Sequence, residues 1–581
     1  MLPFEGKLII SMLQTDNSNR TNVNVNHDKQ RTDELSSASQ FFNGKTIQDR
    51  TGFSPKRGLA SYLGYCCTSL WFIFSLLHPR IIVEFFTHIV VSNSITLPKR
   101  ARIVSFGVPF LFFILLVNLP ISALGQEDDA EEAAEDEEAA EEEPPAAQEP
   151  PVDPFRIPAD DEPPAVDDPN LEAEELVVGL LRPTAMAFLD DSGDDIIVTF
   201  KDNGTVRRII DGVLQPEPLI DVAVANNNNT NERGLLGMAV AEQNETTTYV
   251  FLYYTESGDG EDGSDAQGVV PAGNRLYRYE LVANADTGSA ELINPKLLLD
   301  LPARPGPRYN GGPLLVSQNQ SETIVYLMIG DLDHRESQSL NFEDGPPPDG
   351  TGGILAVDVE GNPLPNPVLV AQVNGEEEEE NGEEEGIGML PYYYSYGLRN
   401  AFGMDFDPVT GYLWDTENGP NWFDEINLVL PGFNSGWATI QGPSSAPENE
   451  GADPEEDLVD FGGTGVYREP EFAWQNTVGV TAIKFLNSTA LGEEYENDMF
   501  VGDINNGRLY HFELNEDRTG LLLEGVLADR VANTVQELDS VIFGTGFRSL
   551  SDIEVGPDGY LYLLLYGPGK IFRIAPADAE G

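Results

Sequence analysis

Cysteine is almost missing from this chain: of 581 residues only the adjacent Cys66 and Cys67 carry a thiol. Everything downstream of them must fold without disulfides or thiolate-held metals, and the redox compartment cannot be read from cysteine usage. Positive charge is scarce too, with 33 Lys and Arg against 98 Asp and Glu and a formal net charge of -65. That balance excludes a nucleic-acid-binding surface and repels anionic membranes, while it suits a solvated surface in salt or outside a cell. Long clean hydrophobic runs are also lacking. The stretch from 70 to 91, LWFIFSLLHPRIIVEFFTHIVV, is interrupted by His78, Pro79, Arg80, Glu84 and His88, and charges near its centre make it a poor membrane span.

What is present divides the chain by composition. Residues 1–98 are mostly polar and lack a sustained apolar period outside that interrupted run, so they read as a disordered upstream extension. In 99–125, Lys99, Arg100 and Arg102 precede the apolar run 104–117, and small residues follow at Ser122, Ala123 and Gly125. This is the pattern of a secretory signal, with a membrane anchor as the alternative, and it places the remainder outside the cytoplasm, secreted or attached to the cell surface. Segment 126–175 opens EDDAEEAAEDEEAAEEEPP, which repels itself and reads as an extended tether to a membrane or cell surface. A second acidic run, 376–385, reads as a solvated loop insertion. Five Asn-X-Ser/Thr acceptors, at Asn203, Asn228, Asn244, Asn319 and Asn487, permit glycosylation in a host that performs it.

From 176 to 575 one pattern returns: an apolar strand, an Asp/Gly/Pro turn, a second apolar strand, then a third. The copies begin at Pro183 (PTAMAFLDDSGDDIIVTF), Gly234 (GLLGMAVAEQ), Asn310 (NGGPLLVSQ), Asn400 (NAFGMDFDPVTGYLWDTENG), Val480 (VTAIKFLNST) and Leu550 (LSDIEVGPDGYLYLLLYG). Short strands of this kind cannot bury both faces alone, and radial stacking covers them. The fold class expected is therefore all-β, a six-bladed β-propeller, with LEAEELVVGLL ahead of the first copy supplying a strand to the last blade.

Two clusters are more specific: YYYSYGLRNAFGMDFDPVTGYLWDTENGP, residues 392–420, and FDEINLVLPGFNSGW, residues 423–437. With ERGLLGMA from Glu232, they resemble the glucose/sorbosone dehydrogenase family. The resemblance implies an aldose dehydrogenase that oxidises a small sugar at its anomeric carbon, using pyrroloquinoline quinone and Ca2+ at the mouth of the propeller channel. It implies that Arg399 polarises the quinone with Asn400 and Glu232 beside it, that the carbonyls of Gly419 and Pro420 hold the cofactor's calcium, and that Glu425 serves a structural calcium. From the residues alone, the planar fork of Arg399 suits an oxygen-rich planar ligand, and hard cations need only oxygen donors.

The same resemblance exposes departures. The family's base is a His in His-Asn-Gly-Gly, and here the segment reads Arg308-Tyr309-Asn310-Gly311-Gly312. Phenols, with a reference pKa near ~10, are poor proton acceptors at neutral pH unless a positive charge such as Arg308 turns inward. Asp331, in Ile329-Gly330-Asp331, matches the carboxylate that orients the family's His and is the other candidate acceptor. The cations that clamp the quinone's carboxylates are replaced by Asn505 and Ser549-Leu550-Ser551, with Arg508 or Arg548 as possible substitutes. The alternative expectation is a non-catalytic extracellular propeller that binds a glycan or a protein partner.

Overall fold

The computed structural model describes residues 163–226, 232–244, 247–283, 288–319, 322–370 and 388–577. The signal or anchor segment, residues 126–162 of the acidic tether and the acidic run 376–385 lie outside these residues, whereas 163–175, expected as the end of the tether, are described and include strands of the propeller.

The described strands fall into six sheets. Their first strands are Pro183–Phe188, Leu235–Asn244, Leu314–Gln318, Ala401–Phe406, Val480–Phe485 and Leu550–Val555, one in each of the quoted copies. These first strands pack side by side in chain order, and the last packs against the first, so they close a ring. Each continues outward through antiparallel second and third strands, the arrangement of an all-β propeller. Second strands such as Leu413–Glu417, Met499–Asp503 and Leu561–Leu565 are buried at every position, because each is covered on both faces by neighbouring sheets.

The hydrophobic core is not central but divided into six clusters, one at each seam between neighbouring sheets. Val177, Met186, Val198, Leu564 and Ile571 fill the seam between the last sheet and the first, and Trp414, Phe472, Trp474, Val480 and Met499 fill that between the fourth and fifth. Small residues face the axis, where the inner strands converge. A Cβ at Gly237 would lie 1.8 Å from the Gly312 carbonyl oxygen, and one at Gly403 would lie 2.2 Å from that of Thr481.

Ring closure uses the start of the domain. Leu171–Val178 pairs antiparallel with Lys570–Pro576 as the outer strand of the last sheet. Glu174 and Arg573, and Glu175 and Lys570, form ion pairs of 2.6 Å across it. Ala165–Val166 adds an antiparallel edge to the fifth sheet. Two sheets gain short parallel edge strands that the sequence pattern does not announce: Phe433–Asn434 and Val466–Tyr467 on the third, and Val531–Ala532 on the fourth.

Candidate functional site

First and second strands run antiparallel, so loops entering inner strands and loops leaving second strands meet at one end of the ring. Glu232 precedes the second sheet's inner strand, Tyr309 the third's, and Arg399 and Asn400 the fourth's; Asp331 and Gly419 follow second strands. This end opens on a cavity of about 400 Å³ along the axis, lined by residues from every inner strand. Glu232, Asn400, Asn418 and Lys201 line the cavity itself, Tyr309 and Arg399 adjoin it through Glu232 and Asn418, and Asp331 lies behind Arg399.

Backbone contact, not side-chain packing, brings the loops together. The Asp331 amide donates to the Arg399 carbonyl at 2.9 Å, and the Leu332 amide to the Tyr309 carbonyl at 3.4 Å. Between them Gly330 is obligatory: a Cβ there would sit 2.4 Å from the Arg399 carbonyl oxygen and 2.7 Å from that of Tyr309.

Arg399 is the hub. It is only 4% exposed. Its Nη2 donates to the Tyr309 hydroxyl at 2.5 Å, and its Nη1 to the carbonyls of Asn418 at 2.8 Å and Gly419 at 3.0 Å. The guanidinium carbon lies 4.2 Å from the Tyr309 ring centre and 5.5 Å from that of Trp437, so the cation sits among aromatic faces. Its backbone amide donates to Glu417 Oε1 at 2.7 Å, and Ser435 holds the other Glu417 oxygen at 2.6 Å. Burial pushes the Glu417 carboxyl up to about 7, against the pull of Ser435 and Arg399.

The expected acceptors are both engaged. Tyr309, held with φ of 60°, donates its backbone N–H to Glu232, and its phenol oxygen is taken by Arg399. Arg308, whose charge would lower the Tyr309 phenol only if it turned inward, pairs with Asp333 at 2.9 Å and is half exposed. Asp331 is buried, which raises its carboxyl above the usual range; it accepts from the His334 amide at 3.1 Å and from Trp437 Nε1 at 2.9 Å. Glu232 is pushed up to about 7 by burial, opposed by the Tyr309 amide and by the charges of Arg399, Arg308 and Lys201. Because that value lies above the ordinary carboxylate one, ionising Glu232 costs the fold stability as pH rises from about 4.5 through about 7. Glu232→Gln is therefore expected to melt like the parent at pH 5 and at a higher temperature than the parent at pH 8, by differential scanning calorimetry.

Calcium is the expectation that these donors do not meet as arranged. The Gly419 carbonyl already accepts from Arg399, and a cation on it would have to displace that guanidinium. The Gly419 turn is organised by buried Asp424, which accepts the amides of Gly419 at 3.0 Å, Val478 at 2.7 Å and Gly479 at 2.6 Å. Glu425, on the adjacent buried strand, accepts from Gln441, Gly442 and Asn427. No group of three or more His, Cys, Asp or Glu among the described residues is arranged to hold a metal ion. Nor do the substitute clamps reach the cavity. Arg548 lines a separate groove with Lys570 and Phe572, and Arg508 is buried beside Asp503, whereas Asn505 and Ser551 do line the central cavity.

A planar quinone meets a better fit. Arg399 Nε and Asn400 Oδ1, on consecutive residues, are each buried without a hydrogen-bond partner, and the Arg399 guanidinium is flanked by two aromatic rings. His334, Trp437, Glu417 and Lys201 were not singled out from the sequence. The only signal for His334 was its place three residues after Asp331, and Trp437 merely ended a quoted motif.

Comparison with known proteins gives three kinds of match. The family model described as Glucose / Sorbosone dehydrogenase matches residues 180–573. The aldose sugar dehydrogenase YliI of Escherichia coli is 27% identical over 208 residues, which are 35% of this chain and 48% of that protein. Quinoprotein glucose dehydrogenase B of Acinetobacter calcoaceticus is 24% identical over 290 residues, 47% of this chain and 53% of that protein. The chain thus spans about half the length of each of these two relatives. Among solved structures, the PQQ-bound aldose sugar dehydrogenase of Streptomyces coelicolor is 18% identical with a TM-score of 0.47, covering 71% of this chain and 99% of that one.

Proposed function

The chain belongs to the glucose/sorbosone dehydrogenase family, and on that premise we propose that it binds pyrroloquinoline quinone at the cavity mouth and oxidises an aldose there at the anomeric carbon. The observation that carries this reading is the buried, aromatic-flanked Arg399 with its unpartnered Nε, followed in sequence by Asn400, whose amide oxygen is also buried and unpartnered. Bound there, the quinone supplies a two-electron acceptor for the hydride of the sugar. The chain's own residues do the rest. Arg399 holds a planar oxygen-rich group from one edge, Tyr309 and Trp437 wall it with aromatic surface, and Asp331, anchored by Trp437, fixes the adjoining loop. Each of the six sheets counts as one blade, and the acidic tether and the signal or anchor ahead of them fit a protein working outside the cytoplasm.

One feature favours a second reading, a propeller that binds a glycan or protein partner without turnover. The cavity places Glu232, Asp552 and Glu554 where a tricarboxylate would want cations, and Lys484 is already paired with Glu554 at 2.7 Å. Calorimetric titration of pyrroloquinoline quinone into the full chain, with calcium present and with it chelated, separates the two. Saturable binding supports the dehydrogenase, and dependence on calcium would mean that Arg399 yields the Gly419 carbonyl. Absence of binding at high micromolar quinone overturns the dehydrogenase in favour of the binding module.

A further inference from the structure

We infer that His334, beside Asp331, is the proton-accepting residue of this site, in place of the histidine that the family resemblance would put at Tyr309; the inference deepens the dehydrogenase reading and rests on it. Tyr309 occupies the position before Asn310-Gly311-Gly312, yet the structure brings an imidazole beside that tyrosine from another loop. The His334 ring centre lies 6.1 Å from that of Tyr309 and 6.4 Å from that of Trp437. Its Nδ1 lies 3.6 Å from Asp331 Oδ2, the oxygen that also accepts from Trp437 Nε1 at 2.9 Å. The other ring nitrogen is then available to solvent, since the side chain is 62% exposed while Asp331 is buried. The carboxylate stands at ion-pair rather than hydrogen-bond distance, close enough to attract positive charge on the ring, which is itself open to a substrate hydroxyl.

The backbone is bent to achieve it. Leu332, Asp333 and His334 are three consecutive residues in the left-handed region, with φ of 50°, 66° and 72°. Non-glycine residues enter that region only at a steric cost, and runs of them are confined to places where the surroundings enforce them. Here the enforcement is visible. The Leu332 carbonyl accepts the Gly306 amide at 2.7 Å, the Asp331 carbonyl accepts the Arg335 amide at 2.8 Å, and Asp331 Oδ1 takes the His334 amide. The charged groups around the ring are Asp331 behind it, the Arg308–Asp333 pair at its side, and Arg399 beyond Tyr309.

In the step assigned to it, the free His334 nitrogen takes the proton of the anomeric hydroxyl. The C1–H bond breaks with its electron pair going to a two-electron acceptor of the o-quinone class, and the second C–O bond forms to give the lactone. The imidazolium is stabilised by Asp331 and returns its proton to water.

Two measurements test this. The chain has five histidines, so the imidazole signals of histidine-labelled, quinone-free protein are few, and the one missing in His334→Gln identifies this residue. D-Glucose, or D-xylose if glucose is not a substrate, is expected to shift that signal and no other. In quinone-loaded protein, His334→Gln is expected to lower kcat by about 100-fold or more with quinone affinity unchanged, and added imidazole to restore part of the rate. A signal that ignores both sugars, or full turnover in His334→Gln, overturns the assignment while leaving quinone binding standing. Failure of the parent to bind quinone sinks the dehydrogenase reading instead, and a sugar-responsive His334 signal would then still support its place in the sugar site.

Discussion

Replacing Arg399 with Ala is expected to weaken quinone binding by at least 100-fold and to abolish dye reduction. The side chain makes charged hydrogen bonds to one hydroxyl and two carbonyls and keeps a further buried N–H unspent. Each charged hydrogen bond to a ligand contributes roughly 1.5–3 kcal/mol, and the free Nε–H together with the second Nη2 hydrogen, of which Tyr309 takes only one, can make two, so their loss accounts for a factor of this size. The Asn418 and Gly419 carbonyls would be left buried and unpaired, which adds a fall in thermal stability. Arg399→Lys separates the two effects. It keeps the charge but not the planar fork, so it should recover much of the stability and little of the affinity. Calorimetric titration of the three proteins decides the matter, and an affinity for Arg399→Ala within about threefold of the parent would mean that the quinone never meets this residue.

Deleting Leu171–Val178 is expected to remove cooperative folding altogether. That strand is the only hydrogen-bonding partner of the outer edge of Lys570–Pro576 among the described residues, and it buries Leu171 in one seam and Val177 in the next. Without it a long strand edge lies open, a template for aggregation. The lost pairing and burial amount to about 5 kcal/mol or more, comparable with the whole stability of an ordinary domain. Circular dichroism melting and sedimentation give the readout; a soluble monomer that melts within a few degrees of the parent would show that the ring does not depend on this closure.

The fold was legible because its information is local. Each copy carries its own apolar strands and its own Asp/Gly turn, and stacking merely repeats one solution. The stretches Gly397 to Asn400 and Gly419 to Pro420 were legible through the motifs that resemble the glucose/sorbosone dehydrogenase family, not through any period of their own. What escaped the sequence depends on contacts between distant loops. His334 reaches the site only through three left-handed residues that no propensity would suggest, and Trp437 matters only because Asp331, 106 residues earlier, is aimed at its indole. Glu417 and Asp424 read as two more acids in an acidic protein, yet both are buried scaffolds whose oxygens collect backbone amides. The two-residue parallel edges were invisible because so short a run has no period to detect.

Glu174 meets Arg573 across 399 residues of intervening chain. No nascent protein can make that contact until synthesis has reached the final strand, so the first sheet-forming residues must wait, unpaired, for the last. Closure of this ring is thus timed by completion of the chain, whatever sheets have formed before it.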